Sequence, residues 1–178
     1  RLTQESIPDC PSRPSIGVTF LGECELMRYF RLIENLPGRD PLGFGMGPGR
    51  WNNNGTPLIY ACSVSSLNFL EFLSIKGPVV TESSWKLVGL DVLGPIPELE
   101  VTALLMGWKN RPFPRTTQEL GSIWAKRELS PCLKVPSCRI PLANYAQEHN
   151  LLINPLHPEF NEKIRVTDTW DVSFEVNR

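Results

Sequence analysis

Histidine is scarce in this chain, with only His149 and His157 among 178 residues. That leaves little material for a multi-histidine metal site, and no metal is expected. Cysteines stand at 10, 24, 62, 132 and 138. Their number is odd and no Cys-x-x-Cys pair occurs, so neither a disulfide framework nor a structural zinc site is expected. Reduced thiols in a cytoplasmic protein are the plain reading. No apolar run approaches the roughly 20 residues that cross a bilayer. No apolar signal core follows Arg1, so export is not expected, and a start at Arg suits a trimmed or processed chain. Charge of one sign is not in excess: 18 Lys and Arg against 19 Asp and Glu give −1. Bulk attraction to nucleic acid or to an acidic membrane is therefore not expected. A G-x-G-x-x-G fingerprint and a G-x-x-x-x-G-K-[ST] loop are both missing, which removes support for a Rossmann site or a P-loop.

Proline, by contrast, is plentiful, with 17 residues. It cuts the chain into short elements and argues against a helical bundle. The 41% hydrophobic and 21% charged fractions fit one globular domain with an ordinary core. Pro8, Pro11 and Pro14 suggest an extended arm, and residues 1–27 are set apart from a domain over 28–178. The later half of Glu23–Asn35 reads as a strand. Gly43–Gly49 alternates glycines in a loop, and an irregular stretch with three consecutive asparagines follows. Leu58–Cys62 reads as a buried strand. Ser65 is a plausible N-cap for a helix to Ile75. Trp85–Leu93 reads as a strand ended by Gly94-Pro95, Gln118–Lys126 as a helix, and Cys132–Val135 and Lys163–Val176 as strands. Strands mixed with short helices in no regular alternation predict α+β.

Glu71 is the first residue that suggests chemistry. It is the only charge between Arg50 and Lys76, on a helix so apolar that burial around most of its circumference is expected. A carboxylate there is costly unless it is paired or lines a cavity. One reading is an ion pair at the edge of a core helix; the other is an active-site acid. Arg50 closes the glycine-rich loop, where it is either a solvated surface residue or a planar clamp for phosphate. Tyr60 is either core or a platform for a planar ring. Asn150, Asn154, Pro155, His157 and Pro158 read as a turn whose asparagines bond to the backbone. His157 has no Ser or Cys partner in a recognisable triad motif.

Ordered along the chain are Tyr29-Phe30-Arg31-Leu32, Gly49-Arg50-Trp51-Asn52, Gly55-Thr56-Pro57 with Tyr60, and the helix Ser65-Ser66-Leu67 to Leu70-Glu71. Gly107-Trp108, Thr117-Gln118 with Gly121 and Trp124, Val135-Pro136-Ser137 and Asn150–Pro158 follow. In this order they resemble the RES-domain toxins over about residues 28 to 176. The resemblance implies a single compact α+β domain of short mixed or antiparallel strands, similar to ADP-ribosyltransferases. It implies a bacterial toxin that cleaves the nicotinamide–ribose bond of NAD+, with no cofactor beyond that substrate and inorganic phosphate as a possible co-substrate. It also implies a partner antitoxin with a helix-turn-helix domain, in a multimeric complex. Glu71, Arg31 and Ser137 match a catalytic set, with Ser130 as the alternative serine. Arg31, Arg50, Tyr60 and Trp51 match the NAD+-binding set. Arg31 and Arg50 would bind the pyrophosphate, and Ser137 would bond to nicotinamide or orient Glu71. Phosphorolysis, hydrolysis, transfer of ADP-ribose to a protein, and binding without turnover all remain open.

Overall fold

The computed structural model describes residues 26–145 and 147–175. The proposed N-terminal arm, Cys10, Cys24 and Val176 lie outside them. The first strand, β1, spans Leu26–Glu34, so the boundary expected at 27/28 falls inside a strand. Then come β2 (Ile59–Cys62), α1 (Ser65–Lys76), β3 (Trp85–Leu93), α2 (Arg115–Lys126), β4 (Cys132–Val135), β5 (Asn150–Ile153), α3 (Phe160–Lys163) and β6 (Ile164–Val172), with short 3-10 turns between. The strands form one six-stranded sheet in the order β4-β5-β2-β1-β3-β6. All five pairings are antiparallel. Among the described residues no helix is long and apolar enough to cross a membrane.

Alternation along the strands sends apolar residues to both faces of the sheet. Tyr29 and Ile33 of β1, Ile59 and Ala61 of β2, Val88, Leu90 and Val92 of β3, and Leu151 and Ile153 of β5 pack on one face. Leu152 of β5 and Leu58 turn to the other, where they meet Trp51, Trp108 and α2's Trp124 and Ala125. All four residues of β5 are buried. Asn150 is expected in a turn with Asn154, Pro155, His157 and Pro158. Asn150 instead opens an inner strand, because Leu151-Leu152-Ile153 is apolar on both faces. The turn proper begins at Asn154, whose side chain caps Leu156 and holds the Ala125 carbonyl.

Two expectations about α1 change. Ser65 is its first helical residue; the cap is Val64, with no side-chain hydrogen bond. The helix is not buried all round either. Leu67 and Asn68 are its buried residues, while Leu70 and Ile75 are 47% and 56% exposed. Only one side packs, against β1 and β2. Asn68 makes that docking specific: its Oδ1 accepts from Leu32 N and its Nδ2 donates to Phe30 O. β1 pairs with β2 only at Phe30 and Cys62, so these β1 groups need partners from elsewhere. α2 sits close because residue 121 is glycine. A Cβ there would overlap the Trp51 carbonyl oxygen. α2 also starts three residues before the expected Gln118, directly after Pro114.

Candidate active site

A cavity of about 340 Å³ opens between α1, the glycine-rich loop and the end of β5. Glu71 reaches it from α1, its side chain 18% exposed. Leu67 buries one turn earlier on the same helix, so anchoring the apolar position also sets where the acid emerges. Three neighbours fix the carboxylate. Ser137 Oγ donates to Oε1 at 2.7 Å, Asn150 Nδ2 donates to Oε1 at 2.8 Å, and Arg139 Nε approaches Oε2 at 3.3 Å. Ser137 is itself fixed, because its Oγ accepts Arg139 N–H at 3.0 Å. The carboxylate is thus held in one orientation beside open space, and both early readings of Glu71, ion pair and cavity acid, describe it.

Ser130 has a different place. Its Oγ accepts from Trp124 Nε1 and donates to the Cys132 carbonyl, which ties α2 to β4. Asn150 and Arg139 were not singled out as site residues. Their contacts to Glu71 span 79 and 68 positions of sequence, and no local pattern marks them.

The glycine-rich loop is fastened rather than loose. Tyr60, on β2, donates its hydroxyl to Asn52 Oδ1 at 2.6 Å and accepts Trp51 N–H. Asn52 Nδ2 donates to the Gly47 and Thr56 carbonyls, and Gln118 of α2 donates to Gly49 O. At Gly49 a Cβ would stand 2.6 Å from both Tyr60 Oη and Asn52 Oδ1, so only glycine fits against them. Burial pushes the Tyr60 phenol up, which leaves it neutral, with its ring lining the cavity. Trp51 borders the same space but is 1% exposed and packs on Trp108. Its role is therefore chiefly core, with little ring surface for a ligand.

The two expected arginines part company. Arg50 lines the cavity, and its guanidinium donates to the carbonyls of Trp108, Lys109 and Asn110. It is tethered to that turn and lies 4.9 Å from the centroid of Phe113. Burial lowers its pKa more than the attraction of Glu71 raises it. Arg31 does not line the cavity. Tyr29 and Ile33, two residues to either side on β1, belong to the opposite core, so strand alternation carries Arg31 away from Glu71. Its NH1 and NH2 donate to Pro41 O and Gly43 O, each at 2.6 Å. Burial lowers its pKa to about 10, and it stays charged at neutral pH.

Cys138 and Cys62 also line the cavity. Burial raises both thiols, and the negative charge of Glu71 adds to it, so they stay protonated at neutral pH. His149 lies behind the site. Its Nε2 meets the Tyr29 hydroxyl at 3.0 Å, and burial lowers its pKa to about 4. His157 holds a turn through Glu159 N and Glu128 O. Among the described residues no cluster of three His, Cys, Asp or Glu side chains is placed to hold a metal ion.

The RES domain family model matches residues 28–175. A protein named Toxin Res from Yersinia enterocolitica is 35% identical over 128 residues, which cover 71% of this chain and 81% of that protein. Toxin Res of Photorhabdus laumondii is 32% identical, over 71% and 79% of the two chains. The Prs ADP-ribosylating toxin of a Sphingobium strain is 34% identical, over 62% and 68%. Among solved structures, the M. tuberculosis MbcT–MbcA toxin–antitoxin complex contains a chain with the same fold. It superposes with a TM-score of 0.63 at 16% identity, over 84% of this chain and 86% of that one. A family match along nearly all the described residues, joined to relatives above 30% identity, establishes that this chain belongs to the RES domain family and is a relative of its toxins.

Proposed function

We propose that this protein is the toxin of a toxin–antitoxin pair and acts by breaking the nicotinamide–ribose bond of NAD+. The observation that carries the reading is the carboxylate of Glu71, held by Ser137, Asn150 and Arg139 against a cavity bordered by further guanidinium groups. Loss of nicotinamide leaves positive charge on the ribose. A fixed carboxylate beneath that sugar stabilises the charge as it forms, as in glycoside hydrolysis. Because Ser137 and Asn150 already orient the oxygens, little reorganisation accompanies the reaction. The bond to C1 of the ribose breaks with its electron pair on the pyridine nitrogen, which loses its formal charge. The acceptor oxygen bonds to C1 and releases its proton to solvent.

Tyr60 offers its ring to the nicotinamide riboside half, and Ser137 is a positioning residue. Arg31 supports the site from behind by fastening Pro41–Gly43, ahead of the glycine-rich loop. The inhibitory partner is an antitoxin with a helix-turn-helix domain. Transfer of ADP-ribose to a protein is the second reading, favoured by the 34% identity to an ADP-ribosylating toxin.

Mass spectrometry after incubation with NAD+, with and without inorganic phosphate, tests the proposal. Free nicotinamide is expected. ADP-ribose beside it means water is the acceptor, ADP-ribose 1″-phosphate means phosphate, and labelled ADP-ribose on a protein band means transfer. Intact NAD+ after prolonged incubation at high enzyme concentration, with no labelled protein, would overturn it.

A further inference from the structure

We propose that Arg111 is the guanidinium that grips the diphosphate of the dinucleotide. The inference rests on the NAD+ reading and assigns a role for which Arg31 and Arg50 were the expected residues. Among the described residues three arginines line the cavity: Arg50, Arg111 and Arg139. Arg139 is engaged with Glu71. Arg50 is engaged with the carbonyls of Trp108, Lys109 and Asn110. Arg111 alone of the three makes no hydrogen bond or ion pair among the described residues. Its guanidinium lies 5.7 Å from the centroid of Phe113, the ring that Arg50 also approaches.

Two guanidinium groups near one aromatic ring repel each other, and beside the larger effect of burial Arg111 adds slightly to the lowering of the Arg50 pKa. Among the described residues Glu71 is the one carboxylate lining the cavity, and it is already paired with Arg139. The described lining is therefore left with uncompensated positive charge, which suits an anion. Arg111 lies beside the Phe113 ring, and its planar fork suits a bidentate contact to phosphate oxygens. The tether from Arg50 to residues 108–110 holds the turn that presents Arg111. Arg50 thus acts on the diphosphate through position and field, while Arg111 makes the contact.

The test uses the full chain and four forms: wild type, Arg111→Gln, Arg111→Lys and Arg115→Gln. Arg115 is an exposed cation outside the cavity lining, paired with Glu119, and controls for loss of charge alone. Calorimetric titration with ADP-ribose reports the diphosphate contact without requiring turnover, and nicotinamide release from NAD+ gives KM and kcat. Arg111→Gln is expected to weaken ADP-ribose binding and raise KM about tenfold, with a much smaller change in kcat. Lys should fall between, since it keeps the charge and loses the fork. Equal ADP-ribose affinity in Arg111→Gln and wild type, or no binding by wild type, overturns the inference. So does an equal loss in Arg115→Gln. Absence of nicotinamide release alone, with ADP-ribose binding still dependent on Arg111, counts against the reaction and not against the contact.

Discussion

Ser137 donates to Glu71 and is itself locked by the Arg139 amide. Replacing it with Ala removes one charge-assisted hydrogen bond. Nicotinamide release should show kcat lowered about tenfold with KM changed far less; an unchanged kcat would detach Ser137 from the acid's function. His149 makes a different prediction, about pH. Its folded pKa of about 4 lies below the ordinary 6.5. Between those values the unfolded chain takes a proton that the folded chain refuses, so stability is complete above about pH 6.5 and declines as pH falls toward 4. Melting temperatures across that window should slope less steeply in His149→Gln than in wild type, and identical slopes would contradict it. Glu71 stood out in the sequence because a lone acid among apolar neighbours is locally visible. Asn150 and Arg139 were hidden, since only the folded chain brings them to Glu71. Arg31, expected among the active-site residues, is not among those lining the cavity, because its neighbours gave its setting but not its strand face.

At the scale of elements, close approaches matter more than caps. α2 rests on the Trp51 backbone at Gly121, and the same loop carries Arg50. Gly121→Ala has no room for its methyl group and should destabilise the fold by about 1–3 kcal/mol, read from denaturant titration. A change within about 0.5 kcal/mol, the usual size for a neutral surface substitution, would show that the contact relaxes freely. Strand positions with alternating or wholly apolar patterns, such as Trp85–Leu93 and Cys132–Val135, were legible, because burial of a pleated surface is written locally. β5 was not, since its three apolar residues lie between asparagines that resemble a turn. α1 misled in the opposite sense. Its apolar residues promised burial, yet Leu70, Leu73 and Ile75 remain exposed, as composition alone does not say which side of a helix meets the sheet.

For the whole molecule, the mixture of short strands and helices foretold α+β, while the order β4-β5-β2-β1-β3-β6 was beyond reach, because it depends on pairings between distant segments. That order brings β5, with Asn150, beside β2, with Tyr60 and Cys62, and so gathers the site from residues 48 to 150. Family membership was legible through ordered motifs rather than through any one residue. The most direct measurement is nicotinamide release from NAD+ by wild type and Glu71→Gln at matched folded concentration. The substitution keeps the side chain's shape and removes its charge. Release should fall by about 10²- to 10³-fold or more while the melting temperature stays close to wild type. Near-normal release by the folded Gln variant would contradict a catalytic carboxylate at position 71.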